Sequence, residues 1–315
     1  MHSVVCTLYE GNYHYGVASL TNSLFANGFR GDVFIGVKGD LPFWANSAKV
    51  ENNINWEGAK LYSPIEGMNL YFLPLKTKDH LTNHKAEFML KLWDGPAKNV
   101  NGIFYFDPDI TIKCNWTFFE SWITMGVCLV NEIVWNDMPD THPKRMMWRK
   151  VAEKAGCPIL NNLSSNINAG FIGVSKENIG FLKILKNLID VSKEHFSFNA
   201  ELFFQSNNDY GMFKVGDQDL LNLTAMCSNS PLSIVGPEGM DFIGGGWIMS
   251  HAVGSPKPWN KNFLLSSLDG IKPSLAEKEF WKNCNYPIKI KSNFKISIKN
   301  LAIKSSSFIG RFYSK

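Results

Sequence analysis

Long apolar runs are missing from this sequence, and none approaches the ~20 residues that a membrane-spanning helix needs. No basic segment followed by a long apolar stretch stands at the N-terminus, so no signal peptide is predicted. The 6 cysteines have neither paired nor CxxC spacing, which disfavours a disulfide framework and a cysteine-based zinc site. We therefore expect a cytoplasmic protein whose thiols are reduced.

Acidic side chains are absent from residues 280–315, which contain eight Lys or Arg residues. Without these eight, 24 basic residues stand against 28 acidic ones, so the net charge of +4 belongs to the C-terminal segment. Its interleaved apolar residues are Ile288, Ile290, Phe294, Ile296, Ile298, Leu301, Ile303, Phe308, Ile309 and Phe312. This mixture favours an anionic membrane surface, at the inner face of the cell membrane, over nucleic acid. A solvated, partly disordered end is the alternative.

The length and composition predict a folded protein with a large core, since 45% of the 315 residues are hydrophobic and 13% are aromatic. The apolar run 4–8 is followed by a helix with apolar positions Val17, Leu20 and Leu24, and then by the apolar run 33–37. This order is typical of a βαβ unit and predicts an α/β fold with a parallel sheet. The change in composition divides the chain into a main domain, 1–272, and a basic amphipathic segment, 273–315.

Further strands and helices continue the pattern along the main domain. Strands are predicted near 70–75, 103–106, 127–130 and 171–174, and helices near 85–93, 116–122, 144–154, 181–191 and 220–226. In open sheets of this class, ligands bind outside the carboxyl ends of the strands. The turn 7–13 and the turn that follows residue 106 are therefore expected on the same edge.

Two distant stretches offer ligands for the same kind of group. Asp107 and Asp109 follow the apolar run 103–106, and paired carboxylates at a strand end suit a divalent cation. His251 is a possible third ligand, while Lys257 lies between two prolines that restrict it to extended conformations. Each feature alone is more often a turn, a structural histidine or a surface lysine. Together they predict a metal-bridged diphosphate, the leaving group of a sugar-nucleotide donor.

The ordered set of motifs resembles the family 8 glycosyltransferases, the family of glycogenin and the bacterial lipopolysaccharide galactosyltransferases. The resemblance covers about residues 3 to 262. The motifs are Phe106-Asp107-Pro108-Asp109, Asn168-Ala169-Gly170, Asp217-Gln218-Asp219-Leu220-Leu221-Asn222 and His251-x-x-Gly254-x-x-Lys257-Pro258-Trp259. The resemblance implies a Rossmann-like GT-A fold with a mostly parallel mixed sheet, a UDP-sugar donor, Mn²⁺ or Mg²⁺, and transfer with retention at the anomeric carbon.

The same resemblance assigns roles by motif position. Asp107, Asp109 and His251 would bind the metal, and Gly254 and Lys257 would hold the diphosphate. Uridine would be contacted by Thr7 and Tyr13, in a first-strand turn that is altered from the family pattern, and Lys85 matches the family's basic residue before the D-x-D strand. The donor sugar and its reacting face would be contacted by Asn168, Ala169, Asp217 and Gln218.

Retention requires either a covalent glycosyl intermediate on a carboxylate or attack from the side of the leaving group. Gln218 is a poor nucleophile, so we favour front-side attack, with a diphosphate oxygen accepting the proton of the acceptor. A divalent ion and Lys257 would stabilise the charge that develops on the leaving group. The acceptor is expected to be a glycan or a lipid-linked molecule.

Two other functions fit parts of the sequence. The segment 107–111 also matches the D-x-D-x-T signature of haloacid-dehalogenase-type phosphatases, with Asp107 as nucleophile. About a hundred residues precede it here, and that hypothesis leaves 251–259 without a role. A non-catalytic protein that binds sugar nucleotides is the second alternative.

Overall fold

The computed structural model describes residues 2–135, 137–206 and 211–313. Eleven strands are present in this part of the chain. They are β1 (Ser3–Glu10), β2 (Gly31–Lys38), β3 (Lys49–Val50), β4 (Lys60–Ile65), β5 (Met68–Pro74), β6 (Gly102–Phe106), β7 (Ile110–Ile112), β8 (Val127–Asn131), β9 (Ile167–Ser175), β10 (Leu232–Val235) and β11 (Met249–His251). The α-helices are α1 (His14–Ala26), α2 (Lys85–Asp94), α3 (Trp116–Trp122), α4 (Pro143–Lys154), α5 (Gly180–His195), α6 (Gly216–Cys227), α7 (Phe263–Leu268), α8 (Leu275–Lys282) and α9 (Asn293–Ile309).

Nine strands form one sheet in the order β10-β8-β9-β6-β1-β2-β5-β4-β3. Only β4 and β9 run against the direction of the other seven. The predicted α/β architecture, a mostly parallel mixed sheet flanked by helices, is confirmed. Its centre is β1, which pairs in parallel with β2 on one side and with β6 on the other.

A hydrophobic core covers each face of the sheet, because successive side chains of a strand point to opposite faces. In β1, Val4 and Leu8 belong to the core that α2, α5 and α6 cover, whereas Val5 and Tyr9 belong to the core that α1 and α3 cover. β6 is buried on both faces and reads as an uninterrupted apolar run. The carboxyl end of β6 is therefore held rigidly between two packed layers.

Residues beyond 272 pack into the second of these cores, with Phe280, Trp281, Ile288 and Ile303 all buried there. The side-chain amide of Asn22 in α1 donates to the carbonyl oxygens of Asn283 and Ile288, at 2.9 and 2.8 Å. α8 and the chain after it are thereby fixed to the first helix of the fold.

Several elements differ from their predicted extents. β1 runs to Glu10, whereas the sequence suggested an end at Leu8, so the turn starts at Gly11 in a short 3₁₀ helix. The short sheet of β7 and β11 and the strands β3, β4 and β10 were not predicted. The cysteines are free within the described part of the chain. None of the described helices is long and apolar enough to cross a membrane.

Candidate active site

The two aspartates lie in the turn that joins β6 to β7. The backbone N–H of Asp107 donates to the carbonyl oxygen of Gly170 at 2.7 Å, and the N–H of Ile110 donates to the carbonyl oxygen of Asp107 at 3.0 Å. α1 packs so closely on this turn that a Cβ added at Gly16 would lie 2.2 Å from the carbonyl oxygen of Pro108. The turn is thus fixed by β9 on one side and by α1 on the other.

His251 reaches the turn because β11 pairs antiparallel with β7, with His251 opposite Ile110. Its Nε2 lies 3.3 Å from Oδ1 of Asp109 and 4.0 Å from Oδ2 of Asp107. One ligand atom from each of the three residues lies within 4.8 Å of the other two. The structure therefore brings together the three side chains predicted as metal ligands.

The remaining carboxylate oxygens are occupied by cations. Oδ1 of Asp107 accepts from the hydroxyl of Tyr105 at 2.7 Å and lies 3.1 Å from Nζ of Lys85. Oδ2 of Asp109 accepts from Nζ of Lys257 at 2.5 Å. Each aspartate thus turns one oxygen to a lysine and the other towards the imidazole of His251, and the two oxygens near the imidazole are left for a metal ion.

Opposite charges keep Asp109 and Lys257 ionised although both are largely buried. Burial alone would raise the pKa of Asp109, but His251 and Lys257 outweigh it and the pKa is lowered. Burial alone would lower the pKa of Lys257, and Asp109 outweighs that effect and raises it. Two carboxylates and an imidazole are a donor set that suits Mn²⁺, or Mg²⁺ when phosphate oxygens complete the shell. The residues present therefore fit a divalent metal.

Lys85 connects the aspartates with the start of α6. Its Nζ donates to the carbonyl oxygen of Ala169 and to Oδ2 of Asp217, both at 2.8 Å. The lysine is only 3% exposed, and although burial lowers its pKa, Asp107 and Asp217 outweigh burial and raise it. Oδ1 of Asp217 is buried without a hydrogen-bond partner among the described residues. This one cation thus joins three other predicted site residues: Asp107, Ala169 and Asp217.

Asn168 lies behind the histidine. Its side chain accepts from the N–H of Gly170 at 2.8 Å and donates to Oε2 of Glu132 at 2.6 Å. Gly170 leaves the space that the imidazole fills, since a Cβ there would lie 2.4 Å from Cε1 of His251. Glu132, at 8% exposed, was missed by the sequence analysis, although a polar residue at the end of a buried strand was a usable signal.

Tyr13, Gly254 and Lys257 lie on the outer side of the cluster. Gly254 is exposed and has φ +82, a conformation that favours glycine. Nζ of Lys257 lies 5.8 Å from the ring centroid of Tyr13, and the Tyr13 ring meets that of Trp259 edge-on at 5.5 Å. Thr7, by contrast, is fully buried inside β1, and its hydroxyl has no partner within the described ranges.

α6 is held against the start of β9 by Asn222, which lies in the middle of the helix. The side chain of Asn222 accepts from the N–H of Ile167 and donates to its carbonyl oxygen, both at 2.9 Å. Gln218 is half-buried, and its carbonyl oxygen accepts from the amide of Asn222 at 2.9 Å. This pairing sets the position of Asp217 beside Lys85.

Comparison with known proteins identifies the fold. No protein-family model and no curated protein matches the sequence. Among solved structures, the chain is similar to the apo structure of the bifunctional glycosyltransferase WbbM, with a TM-score of 0.55 and 15% identity over 95% of this chain and 52% of WbbM. It is also similar to the glycosyltransferase GlyE of Streptococcus pneumoniae TIGR4, with a TM-score of 0.51 and 14% identity over 97% of this chain and 64% of GlyE.

The chain therefore spans between half and two thirds of the length of these two structures. At such low identity the likeness shows the fold alone, which is the predicted GT-A-like fold that these two glycosyltransferases share. The narrower assignment to family 8 stays a prediction.

Proposed function

We propose that this protein is a metal-dependent glycosyltransferase that moves a hexose from a UDP-sugar to a glycan or lipid-linked acceptor with retention. The observation that carries the proposal is the convergence of Asp107, Asp109 and His251 within 4.8 Å, at the carboxyl end of β6 and beside Lys257. The likeness of the fold to glycosyltransferases supports it.

Each residue has a role in binding the donor. Asp107, Asp109 and His251 hold Mn²⁺ or Mg²⁺, which when bound acts as a Lewis acid on the diphosphate. Lys257 moves from Asp109 to the phosphate oxygens, and Gly254 allows the backbone to approach them. Tyr13 lies beside Lys257 and offers an aromatic face to the uracil, while Thr7 supports the strand from behind.

The sugar lies between β9 and the start of α6, where Asn168, Ala169, Asp217 and Gln218 line its reacting face. Lys85 holds the side chain of Asp217 in place through an ion pair, and its contact with Asp107 links this face to the residues that would bind the metal. Because Gln218 is a poor nucleophile, we favour attack from the side of the leaving group. A diphosphate oxygen then accepts the proton of the acceptor hydroxyl.

The first experiment is a thermal-shift screen of UDP, GDP, ADP and CDP, each with Mn²⁺ and with EDTA. Binding at a hundredfold excess over Kd adds about 2.7 kcal/mol of stability, so a true ligand gives a clear shift. We expect a shift with UDP and Mn²⁺, and we expect Asp109→Asn to abolish it. UDP-glucose, UDP-galactose and UDP-N-acetylglucosamine are then tested for UDP release.

A matched control is Asp94→Asn, which removes an exposed carboxylate at the end of α2. If neither a nucleotide nor a UDP-sugar shifts the unfolding temperature, the proposal is wrong.

Release of phosphate from phosphate esters, lost in Asp107→Asn, would instead favour the phosphatase. UDP binding without release or transfer would leave a non-catalytic binding protein. Proton NMR of the anomeric centre in the first product distinguishes retention from inversion.

A further inference from the structure

α9 has two apolar faces, although a helix on the surface of a protein needs only one. On the inner face, Ile303 belongs to the second hydrophobic core and Ile296 packs against it. Ser306, on the same face, is also buried. The second apolar face is formed by Phe294, Ile298, Leu301 and Phe308. Phe312 follows the helix, with its ring centroid 5.1 Å from that of Phe308. We call these five residues the outer stripe.

The outer stripe is a continuous surface. Its helical members are four, three and seven positions apart, so at 3.6 residues per turn they fall within a sector of about 80°. All five side chains are between 49% and 74% exposed. Large apolar side chains that are singly exposed are ordinary, but five aligned on one helix indicate an interaction surface.

Unpaired cations flank this stripe. Lys295 lies on one side of it, and Lys304 lies on the other side, with Arg311 beyond the helix end. Within the described part of the chain, these three form no ion pair with an acidic residue. The N-terminal end of α9 adds a cleft lined by Phe43, Lys289 and Lys291 together with Lys295. An apolar stripe bordered by cations is complementary to a membrane surface, in which anionic headgroups cover an apolar acyl layer.

More exposed apolar surface lies close to α9. α7 packs against α9 and exposes Leu264, Leu265 and Leu268. Ile271 and Leu275, in the chain that follows α7, are exposed as well.

The helix is joined firmly to the candidate active site. Nζ of Lys299 donates to the carbonyl oxygen of Lys261 at 2.9 Å, and Nε1 of Trp281 donates to the carbonyl oxygen of Pro258 at 3.2 Å. Pro258 directly follows Lys257. α9 thus contacts the segment that follows Lys257 through Lys299, and α8 contacts it through Trp281.

We propose that the outer stripe and its flanking cations form a docking surface for an anionic membrane leaflet. The apolar side chains enter the interface between headgroups and acyl chains, while Lys295, Lys304 and Arg311 contact the phosphates. The protein is then a peripheral one that presents its active site beside the leaflet. This surface is independent of the proposed glycosyl transfer and is tested without substrate.

The test is flotation of the full chain with two kinds of vesicle. One contains phosphatidylcholine alone, and in the other three lipids in ten are phosphatidylglycerol. We expect binding to the anionic vesicles, weaker binding at higher salt, and little binding to phosphatidylcholine alone. Lys295→Glu/Lys304→Glu is expected to weaken binding at least about tenfold, since each cation near an anionic leaflet contributes about a fivefold change. Phe294→Ser/Phe308→Ser is expected to lose binding with all charges kept.

The matched control is Lys150→Glu/Lys183→Glu, which makes the same charge change at exposed positions of α4 and α5. All four substituted lysines and both phenylalanines are exposed, so unchanged circular dichroism is expected for every variant. Equal loss of binding in this control, or no preference for anionic vesicles, would overturn the proposal. So would a dimer in light scattering that Phe294→Ser/Phe308→Ser converts to a monomer, because the stripe would then bind a second copy.

Discussion

Nζ of Lys85 lies 2.8 Å from Oδ2 of Asp217, and both side chains are almost completely removed from solvent. The lysine begins α2 and the aspartate lies in the first turn of α6, two helices on the same face of the sheet. Since the same nitrogen is 3.1 Å from Asp107, a single buried cation balances two carboxylates. This one side chain thus links Asp217 to the aspartate cluster of the candidate site.

Replacing Lys85 with methionine is expected to destabilise the protein by about 3–5 kcal/mol, because breaking a buried ion pair leaves uncompensated charge. Urea denaturation at pH 7 measures the free energy of unfolding. The control is Lys91→Met on the same helix, where Lys91 is exposed and pairs with Glu87 at 2.7 Å. A surface pair of this kind contributes about 0–1 kcal/mol. Equal effects of the two substitutions would contradict the role of Lys85.

Gly170→Ala is expected to move His251 away from the aspartates. The added Cβ would lie 2.4 Å from Cε1 of His251 and 2.8 Å from Oδ1 of Asn168, which is closer than real Cβ contacts allow. Displacing a ligand or its support weakens metal binding by about 10–100-fold. Calorimetric titration with Mn²⁺ measures the affinity. Gly180→Ala is the control, since a Cβ there meets nothing within 4 Å, and equal Mn²⁺ affinity in both variants would contradict the expected site.

The sequence was sufficient to predict the central strands of the sheet and the edge at which the candidate site lies. Apolar runs with helices between them predicted β1, β2, β5, β6, β8 and β9, because strands buried on both faces leave a strong signal. Because Asp107 and Asp109 directly follow β6, they were expected at the edge formed by the carboxyl ends of the parallel strands. The meeting of Asp107, Asp109 and His251 followed from the ordered motifs.

Contacts made by short elements were not predictable in the same way. β7 and β11 have only three residues each, too few for a periodic pattern, yet their pairing brings His251 to Asp109. The two ion pairs of Lys85 and the bond between Asn168 and Glu132 depend on tertiary packing, which local propensity does not encode. The turn after β1 was placed too early because polar Tyr9 and Glu10 continue the strand.

Lys257→Met is expected to lower the stability of the metal-free protein, to strengthen the binding of Mn²⁺ and to weaken the binding of UDP. Without metal, Lys257 neutralises the buried Asp109, so its loss lowers the unfolding temperature. Removing a cation beside the metal site favours Mn²⁺, so the rise in unfolding temperature on adding Mn²⁺ becomes larger than in the wild type. Binding of UDP in the presence of Mn²⁺ becomes weaker. Differential scanning fluorimetry with Mn²⁺ and with Mn²⁺ plus UDP measures both effects.

The control for this prediction is Lys38→Met, which removes a partly exposed lysine that lies 3.8 Å from Glu10. It is expected to leave both shifts unchanged. If Lys257→Met gave the wild-type response to Mn²⁺ and to UDP, the pairing with Asp109 would have no bearing on the site.

Asp219 is expected to make the protein less stable as the pH rises from about 4 to 6. Its Oδ1 lies 3.3 Å from Nζ of Lys144, and the backbone N–H of Val215 donates to its Oδ2 at 3.2 Å, but burial outweighs these contacts and raises its pKa to about 6. The folded state therefore binds the proton more tightly than the unfolded state, whose carboxyl has a pKa of about 3.9. The stabilisation is complete below that value and is lost as the pH rises to about 6.

Asp219→Asn removes this titration, so the difference in free energy of unfolding between wild type and variant is expected to fall over the same interval. Each unit between the folded and unfolded pKa corresponds to about 1.4 kcal/mol. Urea denaturation at half-unit intervals from pH 4 to pH 7 measures both proteins, and other carboxyl groups cancel in the difference. A constant difference would show that Asp219 is ionised throughout, in which case Lys144 and the backbone donors, rather than burial, would decide its charge.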